Sequence, residues 1–206
     1  MMRFRPTALF VLLLTIVGGC TTMDGSGSAP ESGLYANVHG DPIDPLDQRS
    51  GRLSALIFIT VDCPIANGYA PQLKALFAAF QAAPIDFFLV HVDPSVDVAK
   101  ARQHASEYGY EGRPILLDPT HSLVAKCKVT VTPEAALFSA DGVMRYRGRI
   151  NNWYGDIGRK RYSPSRHELR DAVLQVLAGE PVKVPRTEAV GCEIEGTFEV
   201  DRSPGH

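Results

Sequence analysis

Cys63 ends the apolar run in "ALIFITVDCPIANGYAPQL", residues 55–73, and Pro64 follows it at once. The residues before it read as a strand and those after it as a helix, so the thiol stands at a strand-to-helix turn. A helix N-terminus presents unpaired backbone N–H groups and partial positive charge. A thiolate held there is stabilised, and the thiolate is the nucleophilic form of cysteine. Proline suits the first helical turn, where its missing N–H is not needed. Asp62 opposes the thiolate if it is ionised and close. The alternative is a buried, inert cysteine, a common role for a free thiol. Three residues on, where a second cysteine would make a local pair, the chain has Ala66. Without that partner the turn alone does not set the reaction class.

The other cysteines narrow the choice. The chain has four: Cys20, Cys63, Cys127 and Cys192. Residues 1–20 read as a targeting segment, with Arg3 and Arg5 ahead of the apolar run "TALFVLLLTIV" (7–17). That run is short for a lone membrane span. It closes on "VGGC", and small residues before a cysteine resemble a bacterial lipobox. The resemblance implies that Cys20 is the acylated first residue of an exported protein, anchored to the membrane by lipid and facing the periplasm. Thr21, rather than Asp, leans to the outer membrane in a host that has one. An ordinary signal peptide is the alternative. Residues 21–33, "TTMDGSGSAPESG", read as a flexible tether. Export places Cys63, Cys127 and Cys192 in an oxidising compartment. Three is an odd number, so at least one thiol stays free or pairs elsewhere. Cys127 lies one helical turn from Leu123 and reads as a small core residue.

The elements that must hold Cys63 follow from periodicity. "LSALIFITV" (53–61) and "IDFFLVHVD" (85–93) are continuous apolar runs, as in buried strands of a parallel sheet. A helix is expected over 71–83, with Leu73, Leu76, Phe77 and Phe80 at helical spacing. Another is expected over 95–109, capped by Ser95 and stopped by Gly109. A short strand at 114–118, a short helix at 119–128 and a hairpin at 134–150 around "ADG" come next. An amphipathic helix at 165–179 ends at Gly179, and residues 180–206 form a tail. The order β-α-β-α-β-α-β-β-α implies a mainly parallel α/β sheet with helices on both faces.

Together "CPIANGYAPQL", "DPTHSLVAK", "VTPEAALFSADGVMRYRGRI" and "VPRTEAVGCEI" resemble the bacterial exported redoxin domains, a group that includes the AhpC/TSA and thioredoxin-like proteins. The likeness covers about residues 35–195, and it places the domain at 34–179 with Cys192 on the tail. It implies a thioredoxin-like fold, with a central mixed, mostly parallel sheet flanked by helices on both faces. It implies that Cys63 is the nucleophile and that Thr132-Pro133 carries a cis-proline facing it. Pro64, Asn67, Thr132, Pro133 and Glu134 would then line the substrate cleft, and Pro133 would keep metals off the thiol. Cys192 is the candidate resolving thiol; a static disulfide or a thiol for a partner are its alternatives. Glu134 is either a proton acceptor near Cys63 or a solvated side chain.

Departures from the family patterns keep three functions open. A thioredoxin needs Cys-x-x-Cys, and Ala66 removes the second thiol. A peroxiredoxin resembles Pro-x-x-x-Thr-x-x-Cys; Thr60 matches the Thr, but Leu56 replaces the Pro. A copper-assembly protein of the Sco type needs two cysteines four apart, and Asn67 stands in the second place. The first expectation is a thiol-dependent oxidoreductase acting on protein thiols or disulfides. The second is a thiol peroxidase, with Thr60 orienting Cys63 toward peroxide. The third is a non-enzymatic module that binds a redox partner or a metal. The resemblance also implies a cytochrome-type or other redox partner. No cofactor is implied, since the chain has no Cys-x-x-Cys-His.

The remaining polar residues add less. A net charge of -2 with no Lys/Arg run gives no sign of a nucleic-acid partner. His91, His104 and His121 show no ligand spacing and read as structural or exposed, so no metal site is expected. Arg147 and Arg149 alternate on one strand and read as surface charge. Trp153 and Tyr154 could line a contact surface, and Asn67 and Tyr69 the rim of the pocket.

Overall fold

Leu53–Ile59 forms β1, and all seven of its residues are buried. Side chains alternate across a strand. Ala55, Ile57 and Ile59 therefore enter one apolar cluster, and Leu56 and Phe58 enter another on the opposite side. A strand covered on both faces belongs at the centre of a sheet. The computed structural model describes residues 33–196 and puts β1 there. The other strands are β2 (Ile85–His91), β3 (Ile115–Leu117), β4 (Val131–Thr132), β5 (Glu134–Phe138), β6 (Met144–Gly148), β7 (Tyr154–Asp156), β8 (Arg159–Lys160) and β9 (Cys192–Glu193). The helices are α1 (Pro64–Gly68), α2 (Ala70–Ala79), α3 (Val98–Tyr108), α4 (Ser122–Cys127) and α5 (Glu168–Leu177).

The main sheet has the order β3-β2-β1-β5-β6. β1 pairs in parallel with β2, and β2 with β3; β5 runs antiparallel to both β1 and β6. The sheet is thus mixed, as expected for this α/β class. Helices α2, α3 and α5 supply residues such as Leu73, Phe77, Ala101 and Val173 to the first cluster. Helix α4 supplies Leu123, Val124 and Cys127 to the second. Each Leu- or Phe-sized side chain so buried contributes roughly 1.5–3 kcal/mol. The expected leader with Cys20, and the tether up to residue 32, lie outside the described residues. Among the described residues no helix is long and apolar enough to cross a membrane.

Local chemistry explains where the element boundaries depart from expectation. The helix after Cys63 begins at Pro64, not at residue 71, and is broken at Tyr69. Pro71 has no N–H for the Asn67 carbonyl, so the helical ladder is interrupted there. Helix α3 is capped by Asp97, whose carboxylate accepts the Lys100 N–H at 2.8 Å, and not by Ser95. The Ser95 N–H instead donates to Asp93 at 2.7 Å. Gly109 ends α3 with φ 71°, in the left-handed region that favours glycine. Pro119 precedes α4, whose first turn is held by Asp118 accepting the Ser122 and Val124 N–H groups at 2.8 and 3.0 Å.

The segment after α5 is fastened to the sheet. The Arg147 N–H donates to the Pro185 carbonyl at 2.9 Å, and the Thr187 N–H donates back to the Arg147 carbonyl at 3.0 Å. Gly148, at φ 145°, leaves no room for a Cβ beside Thr187. The chain then reaches β4 and adds β9 to it, antiparallel, with Val131 opposite Glu193 and Thr132 opposite Cys192. The Ile194 N–H donates to the Thr130 carbonyl at 3.0 Å.

Candidate functional site

Cys63 is the N-cap of α1, with extended backbone at φ -85° and ψ 107°. Its Sγ accepts the Ala66 N–H at 3.4 Å. The helix terminus therefore points one of its unpaired donors at the sulfur, as the sequence position implies. Ala66 is buried where a local partner thiol would stand. The partner comes from far along the chain instead. Cys63 and Cys192 form a disulfide with Cα atoms 6.0 Å apart and a sequence separation of 129. Cys127 is left as a free, buried thiol, and burial pushes its pKa up to about 12.

Thr132 and Pro133 form the floor of this site. The peptide bond between them is cis. The Thr132 carbonyl oxygen lies 3.1 Å from Cys63 Sγ, placed to accept a thiol proton once the disulfide is reduced. The Thr60 hydroxyl contacts the Thr132 hydroxyl at 3.3 Å. Thr60, Cys63, Thr132, Pro133 and Cys192 are thus brought together. Pro64 is exposed at the mouth of the turn, whereas Thr132 and Pro133 are buried.

Asn67 faces inward along the turn. Its Nδ2 donates to the Val61 carbonyl at 2.7 Å, which leaves Oδ1 as an acceptor. His104 Nε2 sits 2.8 Å from that oxygen and therefore carries the proton. His104 Nδ1 and both nitrogens of His91 are buried without a hydrogen-bond partner. The two rings meet edge-on, with centroids 5.0 Å apart. Burial, and then the neighbouring His104, lower the His91 pKa to about 3, and burial lowers that of His104. Both imidazoles are neutral at pH 7. No spacing in the sequence marks these two histidines and Asn67 as one chain leading to the Cys63 turn.

Glu134 is tied up elsewhere. Its Oε2 accepts the Thr130 N–H at 3.0 Å, and Oε1 lies 3.6 Å from Arg147 Nε. Burial raises its pKa, opposed by the Thr130 N–H and Arg147. It braces the loop into β4. Arg147 and Arg149, expected as surface charge, are both paired with buried carboxylates, Arg149 with Glu168 at 2.5 Å. Tyr69 is buried against Trp153 and Tyr154, with ring centroids 5.7 and 5.4 Å apart, and its hydroxyl donates to the Asn151 carbonyl at 3.1 Å. These rings pack the back of α1. Among the described residues no group of three or more His, Cys, Asp or Glu is arranged to hold a metal ion.

Gly191 and Ile194, which stand in the "VPRTEAVGCEI" that carries the resemblance, also belong to the site, though no role was expected of either. Gly191 lies so close to the Thr132 carbonyl that a Cβ could not be added without displacing backbone. Ile194 is buried in the second apolar cluster, with Leu123 and Val129. The flanks of Cys192 in "VGCEI" were the available signal.

No family model matches the sequence, and no curated protein matches it. Solved structures do. An uncharacterized conserved protein from Geobacillus kaustophilus superposes with a TM-score of 0.65 at 22% identity, over 78% of this chain and 86% of that one. A hypothetical protein from Sinorhizobium meliloti gives a TM-score of 0.67 at 19% identity, over 79% and 89%. A secreted Mycobacterium tuberculosis disulfide oxidoreductase homologous to E. coli DsbE gives 0.50 at 21% identity, over 72% and 96%. These likenesses show the fold: the chain is thioredoxin-like.

Proposed function

We propose that the protein is a thiol-disulfide oxidoreductase in which Cys63 is the nucleophile and Cys192 the resolving thiol. The observation that carries this reading is the bond itself. Two cysteines 129 residues apart meet where the Ala66 N–H is aimed at one of the sulfurs. A structural crosslink has no need of a thiolate-stabilising donor, whereas a sulfur that must leave and attack does. The name of the Mycobacterium tuberculosis neighbour, a disulfide oxidoreductase, agrees with this chemistry.

In the reduced protein the Cys63 thiolate attacks a disulfide of a partner. One S–S bond breaks and another forms, and a partner thiolate leaves. The Cys192 thiolate then attacks the Cys63 sulfur, closing the Cys63–Cys192 disulfide and releasing the second partner thiol. The partner gains two electrons and this protein loses two. An external dithiol reductant resets it, and the reverse sequence oxidises a partner dithiol. The leader ending in "VGGC" supports an exported, lipid-anchored protein of the redoxin group, acting on protein thiols in the periplasm.

The test is an equilibration of the full chain in glutathione buffers, with the cysteines mapped by mass spectrometry. A Cys63–Cys192 bond that opens and closes reversibly, and insulin-disulfide reduction lost in Cys63→Ser, are the expected results. A bond that resists 10-fold excess reductant in the folded state overturns the reading. Closure by hydrogen peroxide much faster than by oxidised glutathione would assign the site to peroxide reduction instead.

A further inference from the structure

In the oxidised protein Cys63 is only 1% exposed, and the chain's own segment 191–194 is bonded to it through Cys192. That segment lies on β4 as an added antiparallel strand. No outside disulfide reaches Cys63 until it lifts. Once lifted, it leaves the backbone edge of Val131–Thr132 open beside a reactive thiol, and an open edge takes an extended peptide.

The segment also shows what such a peptide must look like. Gly191 passes against the Thr132 carbonyl, and an added Cβ would collide with that oxygen and lie 3.1 Å from the Pro133 nitrogen. Cys192 delivers its sulfur to Cys63. Glu193 is exposed, and Ile194 is buried in the second apolar cluster. The four positions therefore demand glycine, cysteine, any residue and a large aliphatic residue, in that order.

We infer that the partner of Cys63 is an extended peptide carrying Gly-Cys-x-aliphatic, bound on the edge of β4 in the register that residues 191–194 occupy in the oxidised protein. The inference rests on the thiol-disulfide reading above and adds the substrate class to it. The C-terminal segment is then an intramolecular copy of the substrate. When Cys63 has formed a mixed disulfide with the peptide, Cys192 attacks the Cys63 sulfur, the peptide leaves as a thiol, and the segment resumes its place.

The test uses the full chain with Cys20→Ser and Cys192→Ser, so that Cys63 is the reactive thiol and Cys127 stays buried. Ala-Val-Gly-Cys-Glu-Ile is prepared with its cysteine disulfide-linked to thionitrobenzoate, along with versions carrying Ala for Gly and Ser for Ile. Attack by Cys63 forms the peptide mixed disulfide and releases thionitrobenzoate, which is read by its absorbance. Any re-docking of the residual tail slows all three peptides alike and leaves their ratios unchanged. The Gly-Cys-Glu-Ile peptide should react about tenfold or more faster than either altered peptide, the size of effect expected from overpacking or an unfilled apolar socket. Equal rates for all three, with prompt reaction of Cys63 with the free reagent 5,5'-dithiobis(2-nitrobenzoate), overturn the peptide template and leave the thiol chemistry standing. No reaction of Cys63 with any of the disulfides overturns both. In the otherwise unaltered chain, Gly191→Ala should lower the equilibrium constant for the Cys63–Cys192 bond against glutathione about tenfold or more, and an unchanged constant overturns the inference.

Discussion

His104 donates a hydrogen bond across 2.8 Å to Asn67, and so ties α3 to the turn that carries Cys63. Asn67 passes the connection on by donating to the Val61 carbonyl at 2.7 Å. The shape of the loop between β1 and α1 is therefore held by a side chain from α3. Behind it stands His91, buried and with both nitrogens unpaired.

Asn67→Ala removes both bonds and leaves the Val61 carbonyl and the His104 Nε2–H without these partners. Such losses cost about 1–3 kcal/mol. Urea unfolding of the oxidised protein should show that loss, and alkylation of Cys63 in a Cys192→Ser background should slow as the turn loosens. A stability within error of the parent protein would show that the bridge does not hold the turn.

The neutral histidines set a pH dependence. The His91 pKa lies near 3 in the folded state and near 6.5 in the unfolded one, so the unfolded state binds more protons between those values. The stability from this group is full above about pH 6.5, falls as the pH drops toward 3, and changes no further below that; its size is a few kcal/mol. His104 adds in the same direction. His91→Phe should flatten the slope between pH 6 and pH 4 (roughly the window of the shift) in chemical-denaturation measurements. An unaltered slope would remove His91 as its source.

Oxidation should stabilise the fold. In the chain-entropy account, closing a loop of this length is worth about 5 kcal/mol at 25 °C. Guanidinium unfolding with and without reductant measures it. Cys192→Ser should match the reduced parent and be indifferent to reductant. A reduced protein as stable as the oxidised one would mean that the docked segment holds without its crosslink.

Gly148→Ala forces a residue with a Cβ to φ 145°, against Thr187. Backbone strain of this kind costs about 1–3 kcal/mol. Because the strap at Pro185–Thr187 leads directly into β9, the Cys63–Cys192 bond should also become easier to reduce. Glutathione titration tests this; an unchanged midpoint would uncouple the strap from the disulfide.

The centre of the main sheet was legible in the sequence because β1 and β2 are long and carry an uninterrupted apolar signal. Leu53–Ile59 and Ile85–His91 could hardly be anything but buried strands. Cys63 was legible because Pro64 and the preceding run mark the turn. What did not show was anything made by two-residue pairings. Val131–Thr132 and Cys192–Glu193 are too short to display a period, so the tail gave no sign of its path. Nor does sequence distance reveal that His104 meets Asn67, since their contact exists only after β2 and α1 are in place. Glu134 looked available because it stands next to Pro133, yet the strand turns its carboxylate to Arg147. Ser95 lost the cap to Asp97 because an Asp two residues later offers the same oxygen closer to the first turn.

The 129-residue span of the disulfide gives the oxidised chain a mechanical property. Tension applied between residues 33 and 196 can draw out β1, but past Cys63 it runs through the sulfur bridge to Cys192. Everything from α1 to the strap is then a closed ring that bears no load. Breaking that one bond releases the ring and, at roughly 3.4 Å per residue, lengthens the pullable chain by on the order of 400 Å. For a domain held to a surface at one end, the redox state would decide how far it can be stretched before it lets go.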